Sequence, residues 1–298
     1  MDKKPLVAVT WPIGETALSP LRSQASIICN DKEEQLSPPD LLKFVGGADA
    51  ILCLLTDKIT AEVLDAAGPQ LKIVASMSVG FDHIDVAAAQ QRNVMVANTP
   101  GVLDNAVAEH TIALMLALDK SIRNADAFVR SGKYHGWDPK LFLGPELREK
   151  VLGIVGLGRI GMTVAKIAGF GLGMAIAYND VARSDECERQ YNARFYDLDD
   201  LLSIADVVTL HVPLLPSTQH LINAEGLKRM KSTAYLINTS RGPVVDEAAL
   251  AAALQTNQIA GAGLDVFEHE PDILPGLLAA ENAILTPHTA SATFEARL

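Results

Sequence analysis

The chain has 298 residues, 49 % of them apolar, and a formal net charge of −11. This length is typical of two domains, and the acidic charge disfavours a nucleic-acid or anionic-membrane partner. The three cysteines are far apart and predict neither a disulfide framework nor a zinc site, and we expect no other metal site. Because no apolar run approaches about eighteen residues and the start is unlike a signal peptide, we expect a cytoplasmic protein without a membrane span.

Short apolar runs alternate with helical patterns over roughly the first 100 residues. Such alternation is typical of a parallel sheet with helices on its faces, so we predict a small α/β domain. The predicted strands are Leu6–Thr10, Ala50–Leu55, Lys72–Ser76 and Val94–Ala97, and the helices are Pro39–Val45, Ala61–Ala66 and Val86–Gln91.

A long helical pattern follows, from Leu103 to about Arg130. Its apolar residues recur at helical spacing, which predicts one helix with a single buried face. That face is formed by Val107, Leu114, Leu118 and Ile122.

A second α/β domain is predicted to begin near Val151. Its β-then-α order indicates a parallel, doubly wound sheet. The predicted strands are Val151–Val155, Ala175–Tyr178, Val207–Leu210, Ala234–Asn238, Gly261–Asp265 and Ala283–Leu285.

The first strand of this second domain leads into a G-x-G-x-x-G turn at Gly156, Gly158 and Gly161. In a dinucleotide-binding unit the first glycine permits the turn, the second admits a pyrophosphate, and the third lets helix and strand pack closely. Asp180 ends the next strand, roughly twenty residues on, where a carboxylate can bind the adenosine ribose. Strand, turn, helix and acidic strand end together predict a dinucleotide site.

Three further segments carry reactive side chains just past predicted strand ends: Arg241, Glu270 and His288. Ligands of open α/β sheets bind outside the carboxyl ends of the strands. Arginine is a bidentate partner for a carboxylate, and a histidine oriented by a carboxylate can transfer a proton near neutral pH. Taken singly, each residue is more often structural than catalytic: Arg241 as a surface ion pair, Glu270 as a solvated charge before a turn, and His288 as a loop histidine.

Taken together, these segments resemble the D-isomer-specific 2-hydroxyacid dehydrogenases essentially from end to end. The resemblance implies two Rossmann-like or flavodoxin-like domains with parallel sheets and a cleft between them. It implies a substrate domain of residues 1–99 and 287–298 and an NAD(P)-binding domain of residues 100–286. The segments that carry it are Gly156–Gly161, Asn238–Leu250, Gly263–Pro271 and Thr286–Ser291, with Ser78–Asp85 and Asn98–Glu109 in the front half.

The family's catalytic positions fall on the same three residues. The resemblance implies that His288 is the proton donor to the substrate carbonyl, that Glu270 pairs with its imidazole, and that Arg241 grips the 2-oxo acid. Glu270 is preferred to Glu268 because a proline follows it. The backbone amides of Val79 and Gly80 match the family's carboxylate cradle, although a plain strand-to-helix turn accounts for that glycine equally well.

The resemblance also implies cofactor positions around the glycine turn and after the later strands. Thr218 can reach a phosphate or cap a helix. NAD(H) is the preferred cofactor because Asp180 would repel a 2′-phosphate, and NADP(H) is the alternative because Arg183 lies close by. The implied cofactor-binding residues are Gly156, Gly158, Arg159, Ile160, Gly161, Asp180, His211, Pro213, Thr218, Thr239, Asp265 and His288.

Within the family the chain is most similar to the glyoxylate/hydroxypyruvate reductases. Leu54 and the Trp137 segment carry this likeness, and both are predicted to contact substrate. The resemblance implies that Trp137 approaches the active site of the neighbouring subunit, and the alternative is that it is a buried anchor between domains. Val79 stands where the phosphite-oxidising branch has a lysine, which disfavours that activity. Other D-2-hydroxyacid specificities, D-lactate and phosphoglycerate, remain alternatives.

The resemblance implies a symmetric homodimer acting on a small 2-oxo or 2-hydroxy acid. A nucleotide-sensing co-repressor of the same fold is a second class, and a structural oligomer, which would not need all three catalytic residues, is a third. The family continues after Ser291 with a helix that returns to the first domain, and the sequence reaches Leu298 inside it. If fewer residues of this helix pack against the first domain, we expect the two domains to be held together less firmly.

Overall fold

The computed structural model describes residues 4–297, which form two compact units. One unit contains the chain up to Leu103 together with the residues from Phe294 onward, and the other is Asp104–Thr293. The chain therefore changes unit a few residues later, at both crossings, than the implied domain boundaries after residues 99 and 286. The assignment of substrate and cofactor to particular domains stays a prediction.

The first unit is built on a five-stranded parallel sheet in the order β2-β1-β3-β4-β5. This is the flavodoxin-like order of doubly wound folds. Its strands are β1 Leu6–Val9, β2 Ser26–Cys29, β3 Ala50–Cys53, β4 Ile73–Ser76 and β5 Met95–Ala97, and its helices are α1 Glu15–Arg22, α2 Pro38–Phe44, α3 Ala61–Ala67, α4 Val86–Gln91 and the C-terminal α13 Phe294–Arg297.

The second unit contains a seven-stranded parallel sheet in the order β12-β11-β10-β9-β6-β7-β8, the arrangement of a dinucleotide-binding fold. Its strands are β6 Val151–Val155, β7 Ala175–Asn179, β8 Arg194–Phe195, β9 Val207–Leu210, β10 Tyr235–Asn238, β11 Gly261–Leu264 and β12 Ala283–Leu285. Its helices are α5 Asp104–Asp119, α6 Ile122–Arg130, α7 Arg159–Lys166, α8 Asp185–Tyr191, α9 Leu198–Ile204, α10 Ala224–Arg229, α11 Glu247–Gln255 and α12 Pro275–Leu278, with a π-helical turn at Ile167–Gly171 and a 3₁₀ turn at Gly242–Val244.

The two parallel sheets confirm the predicted fold class, and every predicted strand is present within one or two residues. Two strands were not predicted, β2 and β8. Both lie at an edge of their sheet, and neither contains a fully buried residue. β8 is two residues long, too short to show a pattern, and the three apolar residues of β2 (Ile27, Ile28 and Cys29) are only partly buried at the edge of the sheet.

The predicted single helix from Leu103 to Arg130 is wrong, because the chain breaks between α5 and α6. Ser121 adopts φ +50°, a left-handed conformation that ends the helical hydrogen-bond ladder and redirects the chain. Val107 and Leu114 are buried as predicted, but Ile122 is 55 % exposed and no residue of α6 is buried. The inner face therefore belongs to α5 alone.

Within the part of the chain that the structure describes, no helix has the length and apolar character needed to cross a bilayer. The same residues contain no group of three or more His, Cys, Asp or Glu side chains that could hold a metal ion.

Candidate active site

The three predicted catalytic residues follow three adjacent strands of the second sheet. Arg241 comes after β10, Glu270 after β11 and His288 after β12. Parallel strands have their carboxyl ends at one edge, so the three loops meet there. The structure thus gathers in one place side chains that are far apart in the sequence.

His288 and Glu270 form a hydrogen-bonded pair. The distance from His288 Nδ1 to Glu270 Oε2 is 2.9 Å, and the other carboxylate oxygen, Oε1, accepts from the Phe267 amide at 2.9 Å. A carboxylate on Nδ1 assigns that nitrogen its proton and leaves Nε2 for exchange with a ligand. The arrangement is that of a general acid or base with a carboxylate that orients it.

The Glu270 carboxylate is stabilised in its charged form. Burial alone would raise the pKa of Glu270, but the hydrogen bond to His288, the Phe267 amide and the positive charge of Arg241 together hold that pKa below its ordinary value. Near neutral pH this carboxylate is ionised and can balance a positive imidazolium.

His288 sits in a strained backbone conformation that Asp265 helps to hold. Its φ is +53°, in the left-handed region that a non-glycine residue occupies at a cost of roughly 1 kcal/mol. Its amide donates to the Asp265 carbonyl at 2.8 Å. The Asp265 side chain, which is fully buried, accepts from the Thr286 hydroxyl at 2.6 Å and from the amides of Thr289 and Ala290, each at 2.8 Å.

The hydrogen bonds to Asp265 govern its ionisation. Burial would raise the pKa of Asp265, but the donors on His110, Thr286, Thr289 and Ala290 outweigh it and lower the pKa. Both carboxylate oxygens are therefore engaged with the chain. Contact of Asp265 with a cofactor stays a prediction.

The Arg241 loop is braced by Asn238 and packs tightly. The Asn238 side chain donates to the Arg241 carbonyl at 2.9 Å and accepts from the Ser240 amide at 3.0 Å, while Arg241 Nη1 donates to the Ser240 carbonyl at 2.8 Å. Gly242 lies so close to Phe267 that a Cβ there would collide with the Phe267 carbonyl. The Arg241 and Glu270 loops are thus in direct backbone contact.

The glycine turn after β6 has the geometry predicted from its sequence. Gly156 has φ +91°, and a Cβ on Gly161 would collide with the Gly156 carbonyl. Gly158 is the N-cap of α7, receives no side-chain cap, and faces open space. The amides at this helix start, on Gly158, Arg159 and Ile160, suit a pyrophosphate, because a helix N-terminus offers free donors and a positive dipole end.

Asp180, at the end of β7, is held by two backbone amides. Asp180 accepts from the Leu157 amide within the glycine turn and from the Val181 amide, both at 2.6 Å. Arg183 pairs with Glu188 at 3.0 Å and lies over the Phe195 ring. The arginine beside this site therefore already has an acidic partner.

His211, after β9, has an unusual environment. Its Nε2 is buried, and no hydrogen-bond partner for it exists among the described residues. Burial lowers the pKa of His211 to about 3, so the ring is neutral. A buried, unpaired ring nitrogen fits a site that receives a polar ligand. The backbone of His211 lies where a Cβ on Gly156 would collide with it, so this loop is close to the glycine turn.

Two other predicted cofactor residues are placed by local hydrogen bonds. The Thr218 hydroxyl accepts from the Leu215 amide at 2.8 Å and donates to the Pro213 carbonyl at 2.6 Å, so it closes a turn and does not cap a helix. Thr239 is buried and bonds the Thr111 hydroxyl at 2.9 Å. Both placements leave their cofactor roles as predictions.

The predicted carboxylate cradle lies in the first unit, in the turn after β4. The Ser78 hydroxyl donates to the Gly80 carbonyl at 2.6 Å, and Asn98 donates to the Val79 carbonyl at 2.7 Å. These bonds fix the two carbonyls and leave the Val79 and Gly80 amides as the predicted donors. Leu54, after β3, gives its amide to the buried Asp57 at 2.8 Å.

Trp137 lies in the second unit, between α6 and β6, and is 84 % exposed. Both of its predicted roles stay predictions. Trp137 lines an open cavity of about 300 Å³ with Phe128, Lys133, His135 and Leu141.

Several residues of this site were not predicted. His110 on α5 approaches Thr286 at 3.0 Å and Asp265 at 3.4 Å. His110 could have been suspected from the sequence, since it directly follows Asn98–Glu109, a segment that carries the family resemblance. His220 pairs with Glu268 at 2.8 Å, and no short-range pattern announces that contact.

Comparison with known proteins identifies the family. Residues 112–290 match the model of the D-isomer specific 2-hydroxyacid dehydrogenase, NAD binding domain. The chain is 49 % identical to a glyoxylate reductase of Thermofilum pendens over 301 aligned positions, covering 99 % of this chain and 87 % of that protein.

Solved structures agree. A protein from Thermus thermophilus superposes with a TM-score of 0.90 at 41 % identity, covering 98 % of this chain and 92 % of that one. An NADPH-dependent glyoxylate/hydroxypyruvate reductase from Sinorhizobium meliloti, in complex with NADP and malonate, gives 0.84 at 33 % identity, covering 99 % and 89 %. The chain belongs to the D-isomer-specific 2-hydroxyacid dehydrogenase family and is an oxidoreductase of that family.

Proposed function

We propose that the protein reduces glyoxylate to glycolate, which has no stereocentre, and hydroxypyruvate to the D-2-hydroxy acid D-glycerate, with NAD(H) preferred over NADP(H). The observation that carries the proposal is the His288–Glu270 pair at 2.9 Å, with the charge of Arg241 acting on the same carboxylate. The names of the similar proteins support glyoxylate as the first substrate to test.

Each residue has a defined task in this reaction. Arg241 binds the substrate as a planar fork and polarises the carbonyl that gains negative charge. His288, protonated on both nitrogens, delivers the Nε2 proton to that carbonyl oxygen. Glu270 holds the imidazolium through Nδ1 and stabilises its charge.

The remaining substrate contacts are proposed from the first unit and the Trp137 segment. The amides of Val79 and Gly80 receive the substrate carboxylate, and Leu54 forms an apolar wall beside it. Trp137, because it is exposed, contacts substrate in a neighbouring subunit of a homodimer.

The cofactor is proposed to lie along the carboxyl edge of the second sheet. The Gly158, Arg159 and Ile160 amides bind the pyrophosphate and Asp180 the adenosine ribose. When bound, the reduced nicotinamide supplies the hydrogen and two electrons that the carbonyl carbon gains. The residues proposed to surround it are His211, Pro213, Thr218, Thr239, Asp265 and His288.

NADH preference rests on Asp180, whose carboxylate would repel a 2′-phosphate, and on Arg183, which is already paired with Glu188. Asp180→Ala combined with Val181→Arg is expected to shift the ratio of kcat/KM values toward NADPH. Asp185→Ala, an exposed acid on α8, is the matched control.

A kinetic panel tests the function as a whole. We expect NADH oxidation at enzymatic rates with glyoxylate and hydroxypyruvate, and lower kcat/KM with pyruvate and phenylpyruvate. Activity restricted to pyruvate would instead favour a D-lactate specificity. Turnover far below roughly 1 s⁻¹ on every substrate with both cofactors would favour the nucleotide-sensing class.

A further inference from the structure

A second histidine–carboxylate pair lies next to the first. His220 follows the turn after β9 and adopts φ +48°, a left-handed conformation. Its amide donates to the Pro243 carbonyl at 2.8 Å, two residues beyond Arg241. The next contact, from the Ile222 amide to the Val244 carbonyl at 3.1 Å, continues this pairing. The backbone of His220 is therefore attached to the Arg241 loop.

The side chain of His220 reaches the other catalytic loop. Its Nε2 lies 2.8 Å from Glu268 Oε1, and the two side chains are 39 % and 20 % exposed. Glu268 is fixed a second time, since its amide donates to Glu247 Oε1 at 2.6 Å. Glu247 is only 5 % exposed, so this anchor comes from the interior of the unit.

The segment held in this way leads directly to the catalytic carboxylate. The Phe267–Glu268 peptide packs against Gly242 with no room for a Cβ, and the Phe267 amide donates to Glu270 Oε1 at 2.9 Å. A displacement of Glu268 would therefore move both the support of Glu270 and the backbone beside Arg241.

We propose that His220 and Glu268 are positioning residues that lock the Arg241 loop to the Glu270 loop and so hold the His288–Glu270 pair in its productive geometry. The expected loss of turnover rests on the proposed function, whereas the expected change in the Glu270 titration does not. Neither residue is assigned a contact with substrate or cofactor. Their effect is exerted through Glu270.

An ion pair with only a structural role would respond differently to mutation. Partly exposed pairs contribute little to stability, and removing such a pair would change turnover by the same factor whether or not Glu270 is present. If the pair acts by positioning, its removal must lower turnover only while Glu270 is there to be positioned. Double-mutant analysis separates these two cases.

The kinetic arm compares His220→Ala, Glu268→Ala and Glu268→Gln, alone and with Glu270→Gln. We expect either alanine variant to lower kcat by roughly ten- to a hundredfold, as small misplacements of catalytic groups do. Glu268→Gln, which keeps an oxygen acceptor for His220, should lose severalfold less. In the Glu270→Gln background His220→Ala should cause no further loss. Glu225→Ala, which removes an exposed pair with Lys228 in the same unit, is the control.

The second arm does not need activity. The carboxyl carbon of Glu270 is titrated by NMR in glutamate-labelled protein and assigned with Glu270→Gln. His288 and Arg241 hold the pKa of Glu270 low, so loosening the pair should raise that pKa toward its ordinary value in His220→Ala and in Glu268→Ala. An unchanged Glu270 titration, or activity losses that multiply, would overturn the proposal. An inactive parent enzyme would refute the proposed function, and the titration alone would then decide the positioning role.

Discussion

At the scale of single residues, His288 carries the proposed proton transfer. Its Nδ1 is committed to Glu270, which leaves Nε2 as the donor. We expect His288→Ala to lower kcat by about a hundredfold or more, the usual contribution of a general acid. NADH affinity, measured by fluorescence titration, should remain nearly unchanged.

His269→Ala is the matched control, because His269 is the exposed neighbour of Glu270 and has no assigned role. A His288→Ala enzyme that keeps most of its turnover would exclude His288 as the proton donor.

Arg241 is expected to bind substrate and not cofactor. Arg241→Lys keeps the positive charge but loses the planar fork that matches a carboxylate. KM for 2-oxo acids should rise at least tenfold, roughly the value of one charge-assisted hydrogen bond, with little change in the dissociation constant of NADH. If NADH binding collapses and KM is unaffected, the assigned role is wrong.

The sequence predicted these three residues because each stands just past a predicted strand, in a segment that resembles the family. It did not predict the contact of His220 with Glu268, which joins residues 48 positions apart. It favoured Glu270 over Glu268 because a proline follows Glu270, and the structure pairs Glu270 with His288. Long-range side-chain pairing leaves no trace in local patterns.

At the scale of elements, Asp265 joins the end of β11 to the segment after β12. Its carboxylate accepts from Thr286, Thr289 and Ala290 in the interior. Asp265→Asn would replace one accepting carboxylate oxygen by an NH₂ group, which would face the donors of Thr286, Thr289 and Ala290. We expect the free energy of unfolding to fall by roughly 3 kcal/mol in urea denaturation, since buried hydrogen bonds to a charged group are lost.

The exposed substitution Asp200→Asn should change the free energy of unfolding by less than about 0.5 kcal/mol. Asp265→Asn with parental stability would mean that this carboxylate does not hold the loop.

The ionisation of the Asp265 carboxylate should also make the stability of the protein depend on pH in the acid range. The pKa of Asp265 is lower in the folded than in the unfolded protein, so its contribution is complete above the unfolded pKa of about 3.9. It is lost as the pH falls through the lowered folded value. Between pH 5 and pH 2 the free energy of unfolding of the parent should therefore fall more steeply than that of Asp265→Asn. Parallel curves would refute this linkage.

Elements were predictable where burial is continuous. All strands that contain buried side chains were predicted, whereas the partly buried β2 and the two-residue β8 were not. The break between α5 and α6 depends on the left-handed Ser121, a conformation that serine rarely adopts and that its sequence does not signal.

At the scale of the whole molecule, exposed apolar side chains are concentrated in and after α6. Val129, Tyr134, Trp137 and Leu143 are 57 %, 53 %, 84 % and 75 % exposed, and α6 contains no buried residue. An apolar surface of this kind is typical of an interface. We therefore expect a two-fold homodimer, the commonest oligomer.

Light scattering at micromolar concentration should give twice the chain mass of 31.8 kDa. Val129→Glu together with Leu143→Glu should shift the protein toward the monomer. A monomeric parent would contradict the assignment and also remove the proposed role of Trp137 in a neighbouring subunit.

The configuration of the glycerate formed from hydroxypyruvate with NADH tests the proposed reduction itself. D-glycerate alone should form, in equal amount to the NADH oxidised, and this product should be lost in His288→Ala. Formation of L-glycerate, or no glycerate at all, would contradict the proposed reduction.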